Sequence, residues 1–380
     1  MKQGAKSWSV STHLPIDYSI VCCDDLFSEN NPTLLTHSTS PCDFQILLID
    51  EAVYQLYAKK IHHYFDYHQT TIKVIPVKTG ESNKNLEQYQ YIIEQLNQLG
   101  VMRRSQPVLT MGGGVLTDLS AFATSTFRRG IPHIKIPTTL MGYIDAAIGI
   151  KNGINYAGFK NRLGTFSPPK VVYLDRRFLA TLPKRHVING IGEILKIAII
   201  KDRSLFQLMK AHGVNAMNSF FQCEHGELIL HRAIESMRVE LEPNLFEEKL
   251  DRVVDFGHTF TYALEMLPEA DLLHGEAVVI DILISTTIAH QRAQLSYEHY
   301  QAIVNLIFSF PYRTAPRGMT ADILWRSLIE RTQHRDGLQR VPVPTAIGDS
   351  TFLNDIKKDE INQALHCLIT MTEENYHHVE

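Results

Sequence analysis

The sequence predicts an N-terminal α/β domain with a Rossmann-like, mostly parallel sheet, followed by a domain that is mainly α-helical. Two observations predict this fold class. Short β-rich runs alternate with helical periods in the first half of the chain, whereas after Pro183 helical runs follow one another with little strand-like sequence between them. The length of 380 residues is enough for two hydrophobic cores of ordinary size.

The predicted sheet rests on short runs in which aliphatic and β-branched residues dominate. These runs are FQILLID (44–50), TIKVIPV (71–77), PVLTMGGG (107–114), HIKIPTTL (133–140) and KVVYLD (170–175). Between them lie segments such as residues 85–100, whose apolar side chains recur at helical spacing. Strands that alternate with helices in this way form parallel sheets covered by helices.

The predicted second half consists of helical runs. They are IGEILKIAII, SLFQLMKAHG, HTFTYALEML, AVVIDILISTTIAHQRAQL and HYQAIVNLIFSF. A proline in FLATLPK (178–184) breaks the earlier pattern, so we place the domain boundary there, with domains at 1–180 and 181–380.

Composition excludes several classes of protein. Hydrophobic residues at 44% and charged residues at 21% are typical of globular proteins, which argues against disorder. A net charge of -4 with scattered Lys and Arg gives no nucleic-acid surface. The absence of a long apolar run or a secretory leader predicts no membrane partner and a cytoplasmic location. Five cysteines without a CxxC pair leave histidines and carboxylates as candidate metal ligands.

Three glycines at 112–114 lie between a predicted strand and a predicted helix. Backbone N–H groups there could approach a phosphate closely, and the helix N-terminus favours negative charge. A plain flexible turn is the alternative interpretation. TGESNKN (79–85) and IPTTL (136–140) also follow strands, where open α/β sheets bind ligands, and this coincidence favours the cofactor interpretation.

The segment DAAIGIKNGINYAGFKNRLG (145–164) combines one early carboxylate with several cationic and amide side chains. Cations beside neutral donors suit an anionic, polyhydroxylated substrate such as a sugar phosphate. A solvated surface loop is the alternative. Its candidate residues are Asp145, Lys151, Asn152, Asn155, Lys160, Asn161 and Arg162.

One acidic and two histidine positions suggest a metal site. Glu193 and Lys196 share one face of a predicted apolar helix, and His258 and His274 each stand beside a glycine at a predicted helix start. Two imidazoles and a carboxylate are ligands for Zn²⁺ or Co²⁺ that leave positions open for substrate oxygens. Histidines of this kind also occur as helix caps or as hydrogen-bonded core residues.

With these pieces in order, the chain from about residue 44 to 350 resembles the dehydroquinate synthase superfamily of sugar phosphate cyclases. The similar motifs, in chain order, are GESNK, MGGGVLTD, IPTTL, DAAIGIKNGIN, KNRLG, FLATLP, GEILK, GHTF and HGEA. The resemblance implies a dehydroquinate synthase-like fold, an NAD-binding first domain, a second domain that binds metal and substrate, and a homodimer. It also implies transient NAD-dependent oxidation, β-elimination of phosphate, reduction and an intramolecular aldol closure.

The resemblance assigns site residues by position. The NAD site would comprise Asp50, Glu81, Lys84, Gly113, Gly114, Asp118, Thr138, Thr139, Lys151, Lys160, Phe178, Thr181 and Leu182. The metal would be held by Glu193, His258 and His274. The substrate would face Asp145, Lys151, Asn155, Lys160, Asn161, Arg162, Lys196, Asp255 and His334.

Departures from dehydroquinate synthase indicate the subfamily. Asp255 and Tyr262 stand where that enzyme usually has asparagine and a second histidine, Asp251 replaces an arginine, and QHRDGLQR (333–340) replaces a lysine-rich motif. The residues that bind the substrate carboxylate in dehydroquinate synthase are therefore replaced here, which favours a substrate without that carboxylate. The pattern resembles the branch that cyclises sedoheptulose 7-phosphate, and Asp255 and His334 favour 2-epi-5-epi-valiolone synthases.

Other functions fit parts of this pattern. Within the family they are 3-dehydroquinate synthase, desmethyl-4-deoxygadusol synthase and 2-epi-valiolone synthase. A metal-dependent polyol dehydrogenase of related fold would show net NADH formation, whereas a cyclase shows none. An NAD-binding regulatory protein without chemistry would have no need of all three metal ligands.

Overall fold

The structure is a computed structural model that describes residues 7–37, 44–267 and 269–376. Six parallel strands form its main sheet in the order β1-β8-β5-β4-β2-β3. Their bounds are β1 Ser19–Cys22, β2 Phe44–Asp50, β3 Thr71–Val77, β4 Val108–Gly112, β5 His133–Pro137 and β8 Val171–Leu174. The predicted parallel sheet is confirmed, with the short edge strand β1 added to the predicted runs.

Helices cover both faces of the sheet. They are α1 (Glu51–Tyr67), α2 (Leu86–Gln98) and α3 (Gly114–Thr126). In β2, Leu47 and Ile49 pack in the core that includes α1, whereas Ile46 and Leu48 pack in the core that includes α2 and α3. Burial on both faces explains why β2 is a continuous apolar run rather than an alternating one.

The order of the strands places the glycine loop at a reversal in the sheet. From β2 the chain first adds β3 on one side and then returns to add β4 on the other side. The carboxyl ends of β2 and β4 therefore border the crevice in which open α/β sheets bind ligands. Asp50 ends β2 and Gly112 ends β4, so the predicted cofactor residues lie at this crevice.

The second half is mainly helical, as predicted. Its helices are α4 (Lys184–Ile200), α5 (Arg203–Asn218), α6 (Glu224–Leu241), α7 (Thr261–Glu265), α8 (His274–Gln291), α9 (Tyr297–Phe308), α10 (Ala321–His334) and α11 (Lys358–Tyr376). Burial of α4 is continuous from Val187 to Ile200, and burial of α8 is continuous from Gly275 to Ala289. Helices that are buried all round lie at the centre of a domain.

Glycines let α4 and α8 touch. A methyl group on Gly192 would lie 2.5 Å from the carbonyl oxygen of Gly275, and one on Gly275 would lie 1.8 Å from the carbonyl oxygen of Asn189. The Asn189 side chain also accepts a hydrogen bond of 2.6 Å from the Gly275 N–H. This contact brings the neighbouring residues Glu193 and His274 to the same place.

Two antiparallel hairpins were not predicted. β6 (Lys151–Tyr156) pairs with β7 (Phe159–Phe166) in the polar segment, and β9 (Val341–Ala346) pairs with β10 (Asp349–Leu353) in the second half. The first was missed because glycines and polar residues dominate it, and the second because Pro342 and Pro344 are unusual within strands. In the first, Gly164 allows close strand pairing, since a methyl there would lie 2.4 Å from the Asn152 carbonyl oxygen.

The predicted helix at HTFTYALEML is shorter than expected. It spans only Thr261–Glu265, so the prediction that His258 begins a helix is wrong. The buried carboxylate of Asp281 in α8 accepts hydrogen bonds from the backbone N–H groups of Phe260 and Thr261. A distant residue thus sets where this helix begins.

Membrane-spanning segments and cysteines can also be compared with the sequence within the described ranges. None of the helices there has the length and apolar content that a membrane span requires. Cys22, Cys23, Cys223 and Cys367 are free thiols, and Cys42 lies outside the described residues.

Candidate metal and cofactor site

Asp50, a predicted NAD residue, lies at the carboxyl end of β2. Asp50 caps α1, where its Oδ1 accepts hydrogen bonds from the N–H groups of Ala52 (2.8 Å) and Val53 (3.1 Å). Its Oδ2 accepts a hydrogen bond from the hydroxyl of Thr79, just after β3. Asp50 therefore joins the ends of two adjacent strands.

The glycine loop forms a narrow cradle beside Thr139. Gly113 caps α3 and Gly114 begins it. A methyl group on Gly113 would lie 2.9 Å from Cγ2 of Thr139, so a side chain there would require Thr139 to move. The adjacent Thr138 hydroxyl is buried and has no hydrogen-bond partner within the described ranges. Free N–H groups at a helix start, a tight glycine turn and an unpaired hydroxyl fit a dinucleotide phosphate.

A second cluster joins the end of β3 to the β6–β7 hairpin. The buried ammonium of Lys84 lies 2.6 Å from Oδ2 of Asp118 and 2.5 Å from Oδ1 of Asn161. Asn155 donates a hydrogen bond of 2.8 Å to Oε1 of Glu81. The structure therefore brings these predicted cofactor and substrate residues together across three segments of the chain.

Three other predicted NAD residues, Phe178, Thr181 and Leu182, contact other side chains of the protein. Phe178 packs in the core beneath α1, with its ring centroid 5.2 Å from that of Tyr57. The Thr181 hydroxyl lies 2.8 Å from the Tyr57 hydroxyl, and Leu182 is partly buried against the helical core. Contact of these three residues with NAD stays a prediction.

The predicted metal ligands converge. Glu193 of α4, His258 in the turn before α7 and His274 at the start of α8 each offer a ligand atom, and these atoms lie within 4.8 Å of one another. Oε1 of Glu193 lies 3.7 Å from Nε2 of His258 and 3.4 Å from Nε2 of His274. This oxygen is buried, and no donor among the described residues meets hydrogen-bond geometry with it. An orphaned carboxylate oxygen that faces two imidazole nitrogens fits a divalent cation.

Hydrogen bonds at the other ring nitrogens orient the two imidazoles. Nδ1 of His258 lies 3.1 Å from the carbonyl oxygen of Phe256, and Nδ1 of His274 lies 2.6 Å from Oε1 of Glu265. Both partners accept hydrogen bonds, which places the proton on Nδ1 and leaves the Nε2 lone pair for a metal. Burial, followed by the charge of Lys196, lowers the pKa of His258 to about 3, so that its ring is neutral.

Lys196 and Asp145 complete the buried charges around Glu193. The Lys196 ammonium forms an ion pair with Oε2 of Glu193. Burial raises the pKa of Glu193, but Lys196 and the two imidazoles outweigh it and hold the pKa well below its ordinary value. For Asp145, burial and then the Glu193 charge raise the pKa. The site thus holds two carboxyl groups, one with a lowered pKa (Glu193) and one with a raised pKa (Asp145), beside the ammonium group of Lys196.

Three arginines surround Asp255. Asp255 was predicted from the sequence, but its contacts with these arginines were not. Its Oδ1 lies 3.0 Å from the Arg252 guanidinium, and its Oδ2 lies 3.3 Å from that of Arg335 and 3.9 Å from that of Arg331. Burial raises the pKa of Asp255, but these arginines outweigh it and hold the pKa well below its usual range. The signal that could have found them was the cluster of arginines at 331–340.

Three predicted substrate residues lie toward the surface. Lys151 is exposed and forms an ion pair of 2.7 Å with Glu247. Arg162 is exposed, with its guanidinium 5.1 Å from the ring centroid of Phe159. His334 is exposed at the end of α10, and its neighbour Arg335 is the residue that contacts Asp255. The roles of Lys151, Arg162 and His334 stay predictions.

Lys135 is a fully buried ammonium group on β5 that the sequence did not single out. It donates hydrogen bonds to the carbonyl oxygen of Ala146 (3.5 Å), which ends the π-helical turn Gly142–Ala146 that carries Asp145, and to that of Gly149 (2.9 Å), just beyond this turn. Burial lowers its pKa from 10.5 to about 8. Lys135 therefore supports the segment that carries Asp145.

The lowered pKa of Lys135 predicts a pH dependence of stability. Between about pH 8 and 10.5 the unfolded chain binds more protons at this lysine than the folded chain, so its contribution to folding stability rises with pH. Relative to the Lys135→Met variant, the native protein should gain up to about 1.4 kcal/mol of unfolding free energy per pH unit there. Urea denaturation at several pH values measures this, with the exposed Lys59→Met as control. An equal pH dependence in native protein and Lys135→Met would contradict the prediction.

Comparison with known proteins identifies the family. The family model described as 3-dehydroquinate synthase N-terminal matches residues 74–189, and that described as 3-dehydroquinate synthase C-terminal matches residues 190–334. The chain belongs to the dehydroquinate synthase family. Membership confirms the resemblance found in the motifs and the dehydroquinate synthase-like fold.

Within the dehydroquinate synthase family, two relatives align over almost the whole chain. The chain is 38% identical over 369 residues to 2-epi-5-epi-valiolone synthase of Streptomyces albus. This alignment covers 95% of the chain and 90% of that relative. It is 34% identical over 370 residues to demethyl-4-deoxygadusol synthase of Trichormus variabilis, with 94% and 89% covered. Members with different names thus align over most of the length of this chain.

A solved structure of the family superimposes on the chain. It is 2-epi-5-epi-valiolone synthase from Streptomyces hygroscopicus subsp. jinggangensis with NAD⁺ and Zn²⁺ bound. The TM-score is 0.92 at 39% sequence identity, and the match covers 96% of this chain and 100% of that one.

Proposed function

We propose that the protein is a sugar phosphate cyclase that converts sedoheptulose 7-phosphate to 2-epi-5-epi-valiolone and phosphate. The observation that carries the proposal is the convergence of Glu193, His258 and His274 beside Lys196 and Asp145. The relative with NAD⁺ and Zn²⁺ bound, at 39% identity, supports the same cofactors here. We assign NAD binding to residues 1–180, and metal and substrate binding to residues 181–380 with the help of the β6–β7 hairpin.

The cofactors supply the chemistry that side chains lack. NAD⁺ would accept and return a hydride, and a Zn²⁺ or Co²⁺ held by Glu193, His258 and His274 would polarise a substrate oxygen. The glycine loop and the start of α3 would bind the pyrophosphate, with Thr138 as a hydroxyl partner. Hydride return explains why such a reaction needs no second substrate.

The chain's own residues would bind and orient the sugar phosphate. Lys196, with Asp145 nearby, can hold a substrate oxygen as a hydrogen-bond donor, because burial, which lowers its pKa, is outweighed by Glu193 and Asp145, which raise the pKa and keep it an ammonium group. Lys151, Lys160, Asn161 and Arg162 can bind phosphate as cationic and amide donors. Oδ1 of Asn155 supports Asn161 by accepting a 2.9 Å hydrogen bond from its backbone N–H. His334 and Asp255 are assigned to the substrate end that distinguishes the subfamilies.

The proposal is tested by incubating the purified protein with sedoheptulose 7-phosphate, NAD⁺ and Zn²⁺. We expect phosphate release, no net NADH by absorbance, and a cyclic product whose stereochemistry NMR identifies as 2-epi-5-epi-valiolone. A parallel reaction contains 3-deoxy-arabino-heptulosonate 7-phosphate. Turnover of that compound alone would establish 3-dehydroquinate synthase instead, and net NADH would indicate a dehydrogenase.

Asp255 provides a prediction about substrate choice. Its carboxylate neutralises Arg252, Arg331 and Arg335, which would otherwise attract a carboxylate on the substrate. Asp255→Asn should therefore raise the kcat/KM ratio of 3-deoxy-arabino-heptulosonate 7-phosphate over sedoheptulose 7-phosphate by about tenfold, equivalent to ~1.4 kcal/mol.

The control for this prediction is Asp355→Asn, which removes an exposed acid that pairs with Arg292 at 2.6 Å. Thermal denaturation shows whether each variant is folded. A folded Asp255→Asn variant with the native ratio would show that these arginines do not face the substrate.

We also propose that the protein is a homodimer in the cytoplasm, as the family resemblance and the sequence predict. Light scattering after gel filtration measures the oligomeric state.

A further inference from the structure

Glu265 connects two parts of the site that are distant in sequence. It is the last residue of α7, and its side chain is 5% exposed. Its Oε1 accepts a hydrogen bond of 2.6 Å from Nδ1 of His274, and its Oε2 forms an ion pair with Lys160 of the β6–β7 hairpin. One buried carboxylate therefore contacts both a candidate metal ligand and a candidate substrate residue.

The contact with His274 determines how that ring can bind a metal. A carboxylate at Nδ1 fixes the proton on this nitrogen and directs the Nε2 lone pair toward Oε1 of Glu193, 3.4 Å away. His258 is oriented by the backbone carbonyl of Phe256 instead. Of the two candidate imidazole ligands, His274 is thus the one whose orientation depends on a side chain.

The contact with Lys160 extends to the cofactor end of the sheet. Nζ of Lys160 also lies 3.6 Å from Oε1 of Glu81, which follows β3 and accepts a hydrogen bond from Asn155. The Lys160 side chain is 23% exposed, so its charge is only partly screened by water. A continuous path of charged contacts therefore runs from His274 through Glu265 and Lys160 to Glu81.

We propose that Glu265 is a positioning residue that couples metal binding to the placement of the β6–β7 hairpin. When the carboxylate orients His274 for a cation, it also holds Lys160 beside Glu81, at 3.6 Å from its Oε1. Binding of the metal and ordering of the hairpin then favour each other, as linkage between two sites requires. The inference rests on the proposed metal site and is independent of which sugar phosphate reacts.

Metal affinity tests the first half of this inference. Glu265→Gln keeps the size of the side chain but removes the charge, so we expect Zn²⁺ to bind the metal-free protein about 10- to 100-fold more weakly. Competition with a chromophoric chelator measures the dissociation constant without any substrate. Glu269→Gln, a change at a nearby exposed glutamate, should bind Zn²⁺ like the native protein.

Hydrogen exchange tests the coupling. In the native protein, Zn²⁺ should slow amide exchange in peptides that cover residues 151–166. Lys160→Met should lose this protection and, because linkage is reciprocal, should weaken Zn²⁺ binding by a few-fold. In the Glu265→Gln background, Lys160→Met should produce no further change in Zn²⁺ affinity, because the connection is already broken.

The outcomes separate the inference from the proposed function. Native affinity for Zn²⁺ in a folded Glu265→Gln variant, or native hairpin protection in Lys160→Met, would overturn the role of Glu265. Failure of the native protein itself to bind Zn²⁺ would instead overturn the proposed metal site. Circular dichroism melting confirms that each variant is folded.

Discussion

Replacement of Glu193 by glutamine is expected to remove metal binding and to reduce cyclase activity by about 10³-fold, which corresponds to ~4 kcal/mol of transition-state stabilisation. The amide fills the same volume, so packing of α4 is retained. It removes the anionic oxygen that faces Nε2 of His258 and His274. Elemental analysis after dialysis against Zn²⁺ measures the bound metal, and phosphate release measures activity.

The matched control for Glu193→Gln is Glu240→Gln. Glu240 also pairs with a lysine, Lys201, at 2.8 Å, but it lies on α6 away from the candidate ligands. This variant should keep both metal and activity. If Glu193→Gln retained Zn²⁺ with native affinity, the assignment of this residue as a ligand would be wrong.

Replacement of Gly275 by alanine is expected to destabilise the protein by about 3 kcal/mol or more and to abolish metal binding. The new methyl group would lie 1.8 Å from the Asn189 carbonyl oxygen, which belongs to the backbone of α4 and cannot rotate away. The helices α4 and α8 must therefore separate, and with them Glu193 and His274. Thermal denaturation and Zn²⁺ titration measure the two effects.

Gly149→Ala is the control for this backbone clash. A methyl group at Gly149 would lie 3.8 Å from Cδ1 of Leu241, an ordinary van der Waals distance. Its melting temperature should stay close to the native value. A Gly275→Ala protein with native stability would show that α4 and α8 can adjust at their crossing.

Local patterns in the sequence were enough for the architecture of the sheet and for much of the site. The run at 44–50 coincides with β2, because a parallel strand that is buried on both faces requires continuous apolar residues. The run at 71–77 coincides with β3, an edge strand whose first residues alternate between exposed and partly buried. Glu193 and Lys196 were predicted to share one helix face from their spacing alone, and they form an ion pair. His274 begins α8, as its glycine neighbour suggested.

Long-range contacts could not be read from such patterns. The start of α7, and therefore the position of His258, depends on Asp281 in a later helix. The β9–β10 hairpin was missed because its prolines oppose strand formation, and only pairing within the fold offsets that preference.

The sequence by itself determined the family, the parallel sheet, the helical second half and the candidate metal ligands, because residue type and local spacing encode them. Only the tertiary structure decided which charges meet: Glu265 with Lys160, and Asp255 with Arg335. The physical reason is that helical or strand periodicity specifies which face a side chain occupies. The partner on the opposite face is set by how distant segments pack, as at the crossing of Gly192 and Gly275.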